Sequence, residues 1–319
     1  MHILITGASG FIARNLVVYL VDQIPDVKVT LLTRKLKRTA ALYSKIRSSS
    51  LKRALQQCRV LVIDHLAENI LAPDVVINLA GAPIVTPQSF SLSNNELYNS
   101  RIKYTKELCN TLKDLKKFPK VFMNASAMGI YGSPGSECDE NSVSLGGDYI
   151  ANLALDWESS VYEGAKLVPS RIVLLRFGNV LGSGSGFIKN SVPVIRKGLG
   201  EISGSEKQFI PWIGIEDTVR AIHHCIINSS IKGPVNICTP NKYTYHDYCN
   251  IVSEIVGKKQ WFKCPRFLVS FVKGKIAPCF LNSLIMVPKK LEETGFKFKD
   301  VELETLLPRF VKNKLNRNK

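Results

Sequence analysis

Apolar residues along the first 180 positions fall into short solid runs separated by stretches of helical spacing. Residues 3–6 form an apolar run that stops at Gly7, and 11–21 carry apolar side chains with a period near 3.6. Residues 27–33 and 60–63 are β-branched and apolar, and 74–79 (DVVINL) are apolar at the centre. A long amphipathic segment follows at 94–115, then a strand at 120–124, a helix at 148–164 and a strand at 171–177. Strands that are apolar throughout must be covered on both faces, as in a parallel sheet. With right-handed crossovers, the pattern predicts an α/β fold with a Rossmann-type doubly wound parallel sheet.

After 177 the rhythm changes. Residues 178–186 are rich in Gly and Ser and predict a loop. A strand is expected at 207–215, a helix at 216–227, a short strand at 234–238 and a helix at 245–256. From 258 to 308 short apolar pieces are broken by Pro265, Pro278 and Pro288, which reads as a small, mostly helical C-terminal lobe. The expected domains are 1–180, rejoined by 207–240, and a substrate lobe made of 181–206 and 241–319.

Composition narrows this little: 45% hydrophobic residues in a 319-residue chain is ordinary for a globular protein. No apolar stretch approaches the roughly 20 residues of a membrane-spanning helix, so no membrane partner is expected. The N-terminal MHILITG lacks a basic n-region and its apolar run fits a first strand, so a cytoplasmic location is expected. The eight cysteines form no C-x-x-C, and neighbours such as His223, His224 and Cys225 point apart on a helix, so no metal is expected.

Charge is more informative, because it is local. Lys and Arg number 43 against 26 Asp and Glu, a net charge of +17. Eight basic residues and no acid lie between Arg34 and Arg53, and five more between Arg309 and Lys319 (Arg309, Lys312, Lys314, Arg317, Lys319), again with no acid. The first cluster reads as one solvated basic helix, as the seat of a phosphate-rich cofactor, or as a face for an anionic partner; the second reads as a basic tail. With no aromatic-rich basic groove or zinc finger, nucleic acid is not the expected partner.

The strongest motif is Gly7-Ala8-Ser9-Gly10-Phe11-Ile12-Ala13, set between a strand and a helix. Gly7 permits the tight turn, Gly10 lets backbone approach a pyrophosphate, and small Ala13 allows close helix–strand packing. Amides and the helix dipole then hold the phosphates. The second strand ends Leu32-Thr33-Arg34-Lys35, with no carboxylate for a ribose 2′-hydroxyl and a guanidinium ready for a 2′-phosphate. The expected cofactor is therefore NADP(H).

With TGASGFIA, NLAG at 78–81, SAMGIYG at 126–132, WIGIED and GPVN, the chain resembles an extended short-chain dehydrogenase/reductase. NLAGAPI, Asn99-Ser100-Arg101, DWE at 156–158, RFGNVLG and VPKKLEETGFKF resemble the atypical branch of YfcH-type sugar-nucleotide epimerases. The resemblance implies that Thr6, Gly7, Ser9, Gly10, Phe11 and Ile12 bind the pyrophosphate, and Thr33 and Arg34 the 2′-phosphate. It puts Asp64 or His65 near the adenine, and Leu79, Ala80 and Gly81 along the ribose and phosphates. Glu96 and Arg101 would face the cofactor, and Val180 the nicotinamide; as solvated helix residues, Glu96 and Arg101 would do neither. One departure is Gly214, where the family commonly has histidine. Extended members often dimerise through the helices that correspond to 94–115 and 148–164.

The family uses a Ser-Tyr-Lys set: Tyr as general acid/base, Lys to lower its pKa, and Ser to polarise the substrate oxygen. Ser126 and Tyr149 match the first two positions, but the lysine position holds Leu153. Tyr149, Leu153 and Trp157 share a helix face that reads more like core than catalysis. Tyr131 matches a tyrosine of the substrate pocket and is the other acid/base candidate. A literal Y-x-x-x-K, Tyr162 to Lys166, falls at the wrong helix end, beside a Gly164 that marks a helix stop. Two functions stay open: an NADP(H)-dependent oxidoreductase or epimerase acting on a carbonyl or hydroxyl of a small, sugar-like substrate, and a catalytically weak NADPH-binding sensor or interaction protein.

Overall fold

The computed structural model describes residues 1–57, 59–66, 71–84, 94–142, 147–167 and 169–315, with side chains through 311. Cys58, Arg317 and Lys319 lie outside the described residues, as do the side chains of Lys312 and Lys314. Seven strands form the main sheet: β1 His2–Thr6, β2 Lys28–Leu32, β3 Val60–Ile63, β4 Val75–Asn78, β5 Val121–Ala127, β6 Arg171–Phe177 and β7 Gly233–Ile237. Their order is β3-β2-β1-β4-β5-β6-β7, every pair parallel. The direction of winding reverses between β1 and β4.

Alternation explains the solid apolar runs. Ile3, Ile5, Val29, Leu31, Val75 and Ile77 face the helices Phe11–Gln23 and Ile215–Ile227. Leu4, Leu32, Val76, Phe122 and Leu174 face the opposite layer, where Leu108, Leu112 and Val161 come from helices Tyr104–Asp114 and Tyr149–Ala165. Both faces are dry, so apolar residues dominate them, and polar ones such as Thr6, Asn78 and Asn124 are kept only with hydrogen-bond partners.

Several local expectations are corrected. The basic stretch forms two helices, Leu36–Ser44 and Ser49–Gln56, because Ser48 caps the second by accepting from the Leu51 amide at 3.1 Å. The long amphipathic segment is a relay of Asn94–Tyr98, a π-helical turn Asn99–Lys103 and Tyr104–Asp114. The predicted loop at 178–186 contains a strand, Asn179–Leu181, paired parallel to Trp212–Gly214, and Gly186 opens a helix to Ile195. That second strand is all that remains of the one expected at 207–215. Gly164 does not stop its helix; with no side chain, it lets Cys109 pack against the last turn.

The lobe has its own core, in which Ile188, Val192, Trp212, Tyr248, Val252 and Leu307 meet. Its helices are Gly186–Ile195, Tyr245–Val256 and Leu303–Leu315, and Pro308 sits inside the last. Helix Tyr245–Val256 is closed at its start by a reciprocal Thr244–Asp247 capping box. Although the lobe was expected to hold everything from 241 onward, Leu291 and Phe296 pack into the main sheet core. No described helix is long and apolar enough to cross a membrane.

Candidate active site

A cleft of about 400 Å³ opens over the C-terminal ends of β1, β4, β5 and β6, at the point where the winding reverses. Gly7, Gly10, Phe11, Ile12, Leu79, Gly81, Arg101, Ser126 and Val180 all line it, so the structure brings together residues that lie far apart in the sequence. Trp157 and Phe177 add apolar wall.

Gly7 has φ +64°, and a Cβ there would lie 2.4 Å from the Leu79 carbonyl oxygen. The turn after β1 therefore presses on the chain after β4, which only glycine permits. Gly10 is the N-cap of Phe11–Gln23 and supplies no capping side chain, which leaves the first-turn amides for a ligand. In contrast, Asp148, Ser185 and Thr244 cap their helices with side-chain oxygens. The buried Tyr43 donates its hydroxyl to the Ala8 carbonyl at 2.9 Å and so steadies the turn from the first basic helix. This cradle fits a pyrophosphate. Ser9 is exposed on the turn, whereas the Thr6 hydroxyl is buried and donates to Asn78 Oδ1 at 2.5 Å, tying β1 to β4.

Arg34 stands exposed at the end of β2, and no hydrogen bond or ion pair engages it among the described residues. The Thr33 hydroxyl is spent locally, on Thr39 Oγ1 at 2.9 Å and on the Lys35 amide at 3.2 Å. Asp64 and His65 are exposed beyond β3 and pair with each other at 2.7 Å. Ala80 follows β4 with its amide on Asn78 Oδ1, and Glu96 is exposed.

Arg101 is buried within the π-helical turn. It donates to the Ala82 carbonyl at 2.8 Å and lies 5.2 Å from the Trp157 ring centroid. Burial lowers its pKa to about 10. A π turn carries an additional residue, and such turns recur at functional sites; here it aims a guanidinium into the cleft.

Ser126 is the one expected catalytic residue that lines the cleft. Its hydroxyl donates to Glu158 Oε1 at 2.6 Å. Arg176 grips the same carboxylate through Nε and Nη2, both at 2.9 Å. Its Nη1 reaches the Tyr131 hydroxyl at 2.8 Å, and that hydroxyl donates to Asn236 Oδ1 at 2.7 Å. Burial works against charge on Arg176, but Glu158 and Tyr131 outweigh it and hold its pKa above the ordinary value. Tyr131 is pushed up to about 12 by burial. It is 1% exposed, committed to this network and absent from the cleft wall, a correction to its reading as a pocket acid. In this conformation the Ser126 hydroxyl hydrogen is directed at Glu158, so Oγ presents a lone pair, not a donor, to the cleft.

Tyr149 begins its helix beside the cleft wall, its hydroxyl 3.4 Å from the Asn94 carbonyl. Burial raises its pKa and the nearby Arg101 charge opposes the rise. Leu153 is 5% exposed and packs with Leu97, Ile102, Ala125 and Trp157, as core packing of that face requires. Gly214 sits tightly against the lobe: a Cβ there would lie 3.0 Å from the Asp300 carboxylate, so a side chain would need Asp300 to shift. Tyr162 is exposed, on the last turns of its helix. His223 reaches Tyr19 while His224 reaches Thr294, so the two imidazoles diverge.

Residues 3–238 match the family model described as the NAD dependent epimerase/dehydratase family. The chain belongs to that family. It is 30% identical over 304 residues to the epimerase family protein SDR39U1 homolog, chloroplastic, of Arabidopsis thaliana, covering 94% of this chain and 83% of that one. Epimerase family protein YfhF of Bacillus subtilis is 27% identical over 98% of both chains. Among solved structures, human epimerase family protein SDR39U1 with NADPH superposes with a TM-score of 0.79 at 26% identity, covering 98% of this chain and 100% of that one. The UDP-glucose 4-epimerase of Thermotoga maritima with UDP-glucose has a TM-score of 0.73 at 20% identity over the full length of both, which shows a shared fold.

Sequence reasoning missed Glu158 and Arg176 as site residues. Both sat inside quoted motifs, DWE and RFGNVLG, and the available signal was a carboxylate beside the buried Trp157 and a guanidinium at the end of the apolar run IVLL.

Proposed function

We propose that this family member is an NADP(H)-dependent oxidoreductase or epimerase acting at a carbonyl or hydroxyl of a small, sugar-like molecule. Within the family it would fall in the YfcH-type branch. The observation that carries the reading is the chain just after β2: an exposed Arg34 that no hydrogen bond or ion pair engages among the described residues, with no carboxylate at the end of that strand, which pairs with β1 and its uncapped glycine turn. Gly7 and Gly10 to Ile12 would hold the pyrophosphate, and Arg34 the 2′-phosphate. Asp64 or His65 would border the adenine, Leu79 to Gly81 the ribose, and Arg101 and Val180 the nicotinamide end. Glu96 would approach from the helix start. Residues 1–180 with 207–240 would form the cofactor half, and the lobe would close over the substrate. The NADPH in the human structure supports this assignment.

Bound there, the nicotinamide exchanges a hydride with a substrate carbon. The chain's own part is to orient the substrate oxygen and to manage its proton. Ser126 Oγ, with its hydrogen directed at Glu158, accepts a hydrogen bond from a substrate hydroxyl. Arg176 fixes the Glu158 carboxylate, and with it the Ser126 rotamer. Arg101 supplies positive charge near Tyr149, where the usual lysine is replaced by Leu153, and Tyr149 is the acid/base candidate nearest to that charge.

A second reading, an NADPH-binding sensor with weak catalysis, is favoured by the buried Leu153 and by the hydroxyl of Tyr131 being locked away from the cleft. Calorimetry with NADPH and NADH, on the native protein and on Arg34→Ala, tests the common part. Loss of a charge-assisted phosphate contact should weaken NADPH binding by about 10- to 100-fold and leave NADH unchanged. Equal native affinity for both would overturn the NADP assignment. Turnover on a carbonyl panel, lost in Tyr149→Phe, separates enzyme from sensor.

A further inference from the structure

The segment from 258 to 275 is absorbed by neither the cleft nor either core. Its helix Arg266–Lys273 displays Phe267, Leu268, Phe271 and Val272 at i, i+1, i+4 and i+5, a single apolar face. Phe267 is 75% exposed, Phe271 86% and Val272 53%. Five residues before the helix begins, Trp261 is 74% exposed, with its indole N–H on the Lys197 carbonyl at 3.0 Å and its ring near Phe262. A soluble surface does not leave four large apolar side chains side by side without a use for them.

The charge the segment itself contributes has one sign. Lys258, Lys259, Lys263, Arg266, Lys273 and Lys275 surround it, and the sequence has no Asp or Glu from 258 to 290. Lys263 is answered by Glu201 and Glu206 from the neighbouring segment, and Lys273 lies over the Phe280 ring; Lys258, Lys259 and Lys275 are exposed. Phenylalanine and aliphatic side chains on a helix face, lysines along its margins and a tryptophan anchored at the edge by its polar end match a bilayer interface with anionic headgroups. Leu268 and Val272 share the face with the two phenylalanines, so it presents a continuous apolar surface instead of a basic groove with rings for stacking single-strand bases.

We propose that helix Arg266–Lys273 with Trp261 docks the protein on an anionic lipid surface, lying in the headgroup plane with its phenylalanines inserted. This revises the expectation of no membrane partner, which rested on the absence of a spanning segment; surface docking requires none.

The molecule carries its own probe. Of the three tryptophans, Trp157 is 6% exposed and Trp212 1%, so a blue shift of emission on binding reports Trp261. The full chain is titrated with phosphatidylcholine vesicles, with or without about one-third phosphatidylglycerol, and followed by fluorescence and co-sedimentation. Binding to the anionic vesicles with a blue shift is expected, weakened by salt and absent in Trp261→Phe fluorescence. Phe267→Ser/Phe271→Ser should reduce partitioning by about tenfold or more, and Lys258→Glu/Lys259→Glu should reduce it for anionic vesicles. Unchanged thermal unfolding confirms that these variants fold. No binding, or binding equal in the variants, overturns the proposal. So does binding of single-stranded nucleic acid, or self-association without lipid, that these same substitutions abolish while vesicles have no effect.

Discussion

Replacing Glu158 by glutamine should unsettle the molecule more than any surface change of one charge. The carboxylate accepts from Ser126 at 2.6 Å and twice from Arg176 at 2.9 Å, and the two ionic side chains are 8% and 9% exposed. Removing one member of a buried ion pair costs about 3–5 kcal/mol, because the remaining charge stays desolvated. Glutamine keeps one acceptor oxygen and restores about 1 kcal/mol of that, so a net loss of about 2–4 kcal/mol is expected. With a urea m-value of about 3 kcal/mol per molar, the unfolding midpoint falls by about 1 M at unchanged slope. The partner variant Arg176→Met and the double variant complete a cycle. Coupling of about 2 kcal/mol or more is expected, since each single change strands the other group. A Glu158→Gln loss below about 1 kcal/mol, or a double variant equal to the sum of the singles, would refute the view that this network anchors the cleft floor.

Gly7→Ala should lose NADPH binding and about 2–4 kcal/mol of stability, because φ +64° is strained for alanine and its Cβ would meet the Leu79 carbonyl; unchanged calorimetry would contradict the cradle geometry. Leu153→Lys should not restore a catalytic lysine; burying its ammonium among Leu97, Ile102 and Trp157 should destabilise by about 3 kcal/mol or more, visible as a lower melting temperature, and a gain in turnover would count against this. His2, His223 and His224 are held below their ordinary pKa by burial, so the unfolded chain binds protons more readily. Their contribution is therefore present above pH 6.5 and lost as pH falls below it. The urea midpoint should drop from pH 7.5 to 5.5 (roughly one unit either side of the ordinary histidine value), and His223→Asn/His224→Asn should flatten that drop.

The sheet was legible because its signals are local. Solid apolar runs, the glycine turn and the Arg34 after β2 each lie within a dozen residues, and each stands where the pattern put it. The split of the basic stretch turned on Ser48, one capping hydroxyl that composition does not distinguish from any other serine. The network beneath Ser126 was not legible, because its members come from β5, a helix, β6 and β7 and meet only when the sheet is assembled. Tyr131 was misplaced for the same reason: a motif fixes its backbone near the cleft, but Arg176 and Asn236 decide where its hydroxyl goes. Leu153 was read correctly because helix spacing alone joins it to Tyr149 and Trp157.

The π-helical turn at Asn99–Lys103 also has a genetic consequence. One residue corresponds to about 100° of rotation on an α-helix. Deleting a single codon there would let the segment relax into an uninterrupted α-helix, swinging Arg101 away from Gly81 or dragging Leu97 out of its packing. Alignments of the lineage should therefore place no one-residue gap in this stretch, even where the loops on either side vary freely in length. The cleft thus depends on the length of this turn as much as on the residues within it.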